Sequence, residues 1–207
     1  VGDSHMRGFD KNITATSKIN SNMEVVGYVK PNAGTKDILD NEYGIGKLTN
    51  RDCVIVCGGK NDISKNNASD AVRNLVQFVK CHNNTNLMVI SAPHRHDLIE
   101  SSCVNKEVKS FNIKLKEKMN RFKNVTMIDV NLERNGFTRH GLHMNNRGKE
   151  ILSREIAEKL SGLWTTATIK PIIMIWKDKI LSSKEADVAE NLEITENNLT
   201  CDKTVCM

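Results

Sequence analysis

Short apolar runs separated by stretches of helical periodicity constrain this chain more than any other feature. The runs fall at residues 23–29, Cys53–Cys57, 86–92 and 125–130, and most are rich in Val, Ile or Met. Continuous apolar runs of this length are what strands buried on both faces require. Between them, residues 68–79 place Ala71, Val72, Leu75, Val76, Phe78 and Val79 largely on one helical face, with Asn67 and Ser69 as candidate caps. Residues 103–122 repeat Val104, Val108, Phe111, Leu115, Met119 and Phe122 in steps of three and four, and a last helix after Asn146 carries Ile151, Leu152, Ile156, Leu160 and Leu163. Strands alternating with helices imply crossover connections and a parallel sheet covered on both sides, an α/β fold. Val1 reads as the stub of one more strand, so the first strand is expected to be truncated and the N-terminus missing; sheet edges left open by that loss predict poor solubility.

The periodicity ends near residue 165. The expected organisation is one domain over residues 1–165, a short extension over 166–180 and a disordered acidic tail over 181–207. The longest apolar stretch outside the domain, residues 171–176, is a third of what a membrane-spanning helix needs, so no membrane partner is expected. From Lys184 onward two lysines face six acids, a local balance of −4, so the formal charge of +5 leaves +9 on the rest. Such a body attracts anions, nucleic acid among them, although two Trp, two Tyr and five Phe offer few stacking platforms. Six cysteines are scattered through a chain long enough to build its own core, and Cys53 and Cys57 lie about 13 Å apart along one strand, too far to bridge. They read as thiols, which favours an intracellular setting.

Four short signals carry chemistry. Gly2-Asp3-Ser4-His5 puts a serine at a strand-to-helix junction, at the carboxyl edge of the sheet where α/β proteins bind ligands; such a serine is a nucleophile or a helix cap. Pro31-Asn32-Ala33-Gly34 follows the next run and offers a backbone N–H. Gly58-Gly59-Lys60-Asn61-Asp62 follows Cys57 and places an amide donor at the same edge, without matching a phosphate loop. His140-Gly141-Leu142-His143, just before the last helix, supplies an imidazole for general base chemistry. Nucleophile, donors and base thus fall in an order consistent with one catalytic edge.

These four blocks resemble, in order, those of the SGNH or GDSL-type hydrolases: Gly2-Asp3-Ser4, then Gly34, then Gly59-Lys60-Asn61-Asp62 as GxND, then the His143 block, over roughly residues 1–163. More narrowly, Ala92-Pro93-His94-Arg95-His96-Asp97-Leu98 and the segment from Phe137 to His143 resemble SGNH-like proteins of invertebrate genomes, some linked to mobile elements. The resemblance implies a flavodoxin-like three-layer α/β/α sandwich with a mostly parallel five-stranded sheet in the order 2-1-3-4-5. It implies Ser4 as nucleophile, His143 as base, and an oxyanion hole from the N–H groups of Ser4 and Gly34 and the side chain of Asn61. Asp3, Gly59 and Asp62 are supporting residues, no metal or cofactor is needed, and the implied substrate is a small acyl or acetyl ester.

The chain departs from the family where its last block has Asp-x-x-His: the aspartate position is His140. A neutral imidazole can accept a hydrogen bond from His143 but brings no negative charge to an imidazolium. The expectation is a Ser4–His143 dyad of reduced or specialised activity, with a backbone carbonyl, Asp62 or Asp129 as substitute orienters. The competing expectation is a noncatalytic SGNH-like module that binds RNA or protein. His94 and His96 are read as rim or solvated residues rather than zinc ligands.

Overall fold

The computed structural model describes residues 1–16, 23–40 and 47–163. The expected extension and acidic tail, with Cys201 and Cys206, lie outside the described residues. Three parallel strands, β1 (Cys53–Cys57), β2 (Asn86–Ile90) and β3 (Val125–Ile128), pair in chain order. Helices α1 (Phe9–Thr16), α4 (Ala68–Cys81), α5 (Cys103–Met119) and α6 (Asn146–Leu163) cover the sheet, and the short turns α2 (Thr35–Ile38) and α3 (Lys60–Ser64) sit at its carboxyl edge. In β1, Val54 and Val56 face α4 and α5 through Leu75, Phe78, Val108 and Phe111. Cys57, with Cys53 and Ile55, faces α1 and α6 through Phe9, Ile13, Leu152 and Ile156. The three-layer α/β/α sandwich is therefore present, with a core on each face. Cys53, Cys57, Cys81 and Cys103 are free thiols.

The order 2-1-3-4-5 is present too, but its first two positions are single residues rather than strands. Gly2 bridges in parallel to Val29 on one side and to Cys57 on the other. Residues 23–28 form no ladder. Between residues 23–29 and Cys53–Ile55 the sheet opens into a groove of about 530 Å³, walled by Met6, Phe9, Val25, Ile55 and Leu160.

Helix α5 begins where Ser102 accepts a hydrogen bond from Asn105 N at 3.2 Å. Asn67 precedes α4 but its side chain makes no cap bond. Helix α6 is held differently. Asn145 Oδ1 accepts from Gly148 N at 2.9 Å, and Asn145 Nδ2 donates to the carbonyls of Asn135 and Phe137, both at 2.8 Å. One asparagine thus caps the helix and clamps the preceding loop to it. The approach is close enough to require glycine at position 148, where a Cβ would fall 2.1 Å from the Gly136 carbonyl oxygen.

Gly148→Ala is expected to lower stability by about 1–3 kcal/mol, the usual cost of forcing volume into a packed contact. Thermal denaturation beside Gly162→Ala, where a Cβ meets nothing within 4 Å, checks this; equal melting temperatures would contradict it.

Candidate active site

The backbone around Gly2 sets the position of Ser4. Gly2 N donates to Tyr28 O at 3.0 Å, Lys30 N donates to Gly2 O at 2.9 Å, and Cys57 N donates to Val1 O at 3.1 Å. The chain then leaves the sheet as a tight 3₁₀ turn, Ser4–Met6. Asp3 caps that turn, its Oδ1 accepting from His5 N at 2.9 Å. Ser4 is therefore not the cap, and its hydroxyl has no hydrogen-bond partner among the described residues. A side chain on Gly2 would meet both Met6 and the Cys57 carbonyl, which explains the glycine.

Gly34 has ordinary extended backbone, and its need for glycine is proximity: a Cβ would lie 2.8 Å from Asp62 Oδ1. The Asp62 carboxylate holds this loop, accepting from Thr35 N at 2.9 Å and from Thr35 Oγ1 at 3.2 Å. Burial nonetheless raises the Asp62 pKa, and burial raises that of Asp3. Among the described residues neither the Ser4 N–H nor the Gly34 N–H donates to a protein acceptor. Asn61 Nδ2 donates to Ala33 O at 2.9 Å, while its second contact, to Asp3 Oδ2, is a long 3.4 Å. Gly59 adopts a left-handed conformation at φ 104°, and a Cβ there would strike the Phe111 ring.

His143 lies in a tight loop between Phe137 and Met144, which form an antiparallel bridge; Thr138 N donates to His143 O at 2.8 Å, and Gly141 turns the tip at φ 76°. Burial, then Lys60, Lys149, Arg7 and Arg95, lowers the His143 pKa below its usual 6.5. Ser4, Asn61 and His143 line one cleft of about 540 Å³. Gly34 is not among the lining residues and packs against Asp62.

The substitute orienters do not reach His143. His140 sits exposed in the turn and makes no hydrogen bond to His143 among the described residues. Asp62 is committed to Thr35, and Asp129 pairs with Lys116 at 2.6 Å. The ion pairs among the described residues are Asp70–Arg73, Arg95–Asp97 and Lys116–Asp129, so no carboxylate pairs with a histidine. The imidazole beside His143 is His5, with ring centroids 5.1 Å apart. His94 and His96 meet edge to face, and His96 is tilted against Phe137; no metal-binding cluster occurs among the described residues.

Two residues of the site escape sequence reasoning. His5 is 2% exposed and Lys60 5%, and Lys60 Nζ reaches His5 Nε2 at 2.5 Å and donates to Leu142 O at 2.8 Å. Burial, then Lys60, drives the His5 pKa down to about 3, and burial, then Arg95, drives that of Lys60 down to about 8. The neutral ring accepts at Nε2 and so carries its proton at Nδ1, which is buried without a partner among the described residues. Their only sequence signal is adjacency: His5 follows the serine, and Lys60 fills the free position of GxND.

No protein-family model matches the chain, and no curated protein matches its sequence. Solved structures do match in shape. A member of the lipolytic G-D-S-L family from Veillonella parvula aligns over 76% of this chain and 93% of its own, with 15% identity and a TM-score of 0.61. A GDSL-like lipase from Bacteroides thetaiotaomicron aligns over 78% and 85%, with 14% identity and a TM-score of 0.59. An acetylxylan esterase from Geobacillus stearothermophilus aligns over 73% and 78%, with 14% identity and a TM-score of 0.60.

The buried imidazole makes a sign-definite prediction. The His5 pKa is lower folded than unfolded, so between pH 6.5 and about 3 the unfolded chain binds the extra proton and stability falls with acid. Urea denaturation at pH 7 and pH 4.5 is expected to show on the order of 2 kcal/mol more acid loss in the parent than in His5→Gln. Equal losses would contradict it. At the sequence identities of these structural matches the likeness is one of fold, and the chain has the α/β/α fold of the G-D-S-L lipolytic proteins.

Proposed function

We propose that the protein is a serine esterase of SGNH type acting on small acyl or acetyl esters. The observation that supports this reading is the single cleft shared by Ser4, Asn61 and His143 at the carboxyl edge of the sheet. In the proposed reaction, neutral His143 takes the Ser4 hydroxyl proton as Ser4 Oγ attacks the ester carbonyl. The carbonyl oxygen becomes an oxyanion and receives hydrogen bonds from the N–H groups of Ser4 and Gly34 and from Asn61 Nδ2, which exchanges its long contact to Asp3 for the oxyanion. Collapse expels the alcohol, protonated by His143, and water activated by the same imidazole then releases the acid and restores Ser4. The GDSL-like lipase and the acetylxylan esterase of the same fold are consistent with ester chemistry on this scaffold.

The lowered pKa of His143 favours the neutral base at pH 7, but among the described residues no carboxylate steadies the imidazolium that forms. Loss of that carboxylate costs about 10⁴ in turnover in a well-studied triad, so a slow enzyme is expected. A fluorophosphonate probe is expected to label the parent and neither Ser4→Ala nor His143→Ala. Labelling and 4-nitrophenyl acetate hydrolysis are expected to rise with pH to a plateau whose midpoint lies below 6.5. A folded parent that takes no label would overturn the reading.

A further inference from the structure

The cleft is lined by Arg7, Lys60, Arg95 and Lys149 and, among the described residues, by no aspartate or glutamate. Only Arg95 has a carboxylate partner, Asp97, held at 2.7 and 2.6 Å through Nε and Nη2. Lys149 Nζ donates to the Arg7 carbonyl at 2.8 Å, which carries its charge to the cleft without neutralising it. Lys60 is the most telling of the four. It is 5% exposed, yet its two partners, the His5 ring and the Leu142 carbonyl, are both neutral. Asp3 and Asp97 act on it only at longer range. A buried ammonium without a counter-ion is costly, and here that cost falls where substrate would sit.

We propose that the substrate itself carries an anion, a carboxylate or phosphate group attached to the ester, and that this group seats on Arg7, Lys60 and Lys149. The inference rests on the esterase reading above and names its substrate class. Three point charges and forks converging on one cleft match an oxyanion and have no use for a neutral acyl chain. The bound anion has a second effect. The same cations disfavour a positive charge on His143, and an anion among them offsets that field as the imidazolium forms. The substrate thereby supplies part of the negative charge that the sequence lacks at position 140.

The test uses a matched pair of substrates, mono(4-nitrophenyl) adipate and its methyl ester, which differ in one negative charge and whose carboxyl group is too far along the chain to close a five-membered ring on the ester. The anionic ester is expected to show at least about tenfold higher kcat/KM, and the ratio to fall towards one in the Arg7→Gln/Lys149→Gln double variant and at high salt. In parallel, the His143 pKa is followed by proton NMR in sodium sulfate and in sodium chloride of equal ionic strength. Sulfate is expected to raise it in the parent and not in the double variant. Turnover of both esters with a ratio at or below one would overturn the anion inference and leave the esterase standing. No turnover of either ester, with sulfate still raising the His143 pKa, would keep the anion site and overturn the esterase. A sulfate effect equal in parent and double variant would overturn the site.

Discussion

Everything at the carboxyl edge depends on the hydrogen bonds that two residues, Val1 and Gly2, make to both sides. Gly2 is tied to Tyr28 and Lys30 on one flank, and the Val1 carbonyl accepts from Cys57 N on the other. This brings three chain segments to one line: the turn that carries Ser4, the loop that carries Gly34 and the end of β1 that carries Asn61. Parallel pairing is what allows this arrangement, because it sends the carboxyl end of every strand, and so the loop that follows it, to the same edge.

At the cleft wall formed by Lys60, the structure places groups in a way that local sequence does not dictate. His5 and Lys60 come from segments 55 residues apart and meet at 2.5 Å in a nearly dry interior. Desolvation favours the neutral form of each, and their mutual proximity does so again for His5. Asp3 and Asp62, also buried, keep their positions through backbone and hydroxyl donors rather than through the lysine. The result is a site whose acids are turned into the scaffold while its cations line the opening. That separation of sign leaves one cleft that holds cations, a histidine of lowered proton affinity and a serine hydroxyl with no hydrogen-bond partner among the described residues.

The fold was largely legible, and the reasons can be located. β1, β2 and β3 are continuous apolar runs because both faces are covered, and α4 and α6 show the stripe that packs on them. Residues 23–29 are also mostly apolar, but of these only Val29 pairs, through a single bridge to Gly2. The four motif blocks sit at the same edge, as their places after strands indicate. Spacing from His143 does not decide contact in a loop that turns at Gly141, and the ring that reaches His143 belongs to His5.

Hydrophobic periodicity and block order are local properties, written residue by residue, and they alone determined the α/β class, the parallel sheet, the serine and histidine candidates and the absence of an aspartate at position 140. Only the tertiary structure decided that Asp3 rather than Ser4 caps the first turn, that Asp62 is spent on Thr35, and that Lys60 is buried against His5. It also decided that Arg7, Arg95 and Lys149 share one opening with Lys60. These are relations between segments far apart in the chain. Whether a charge faces water, an acid or an empty cleft depends on where the sheet brings its strand ends together, a distance in space that no spacing in sequence encodes.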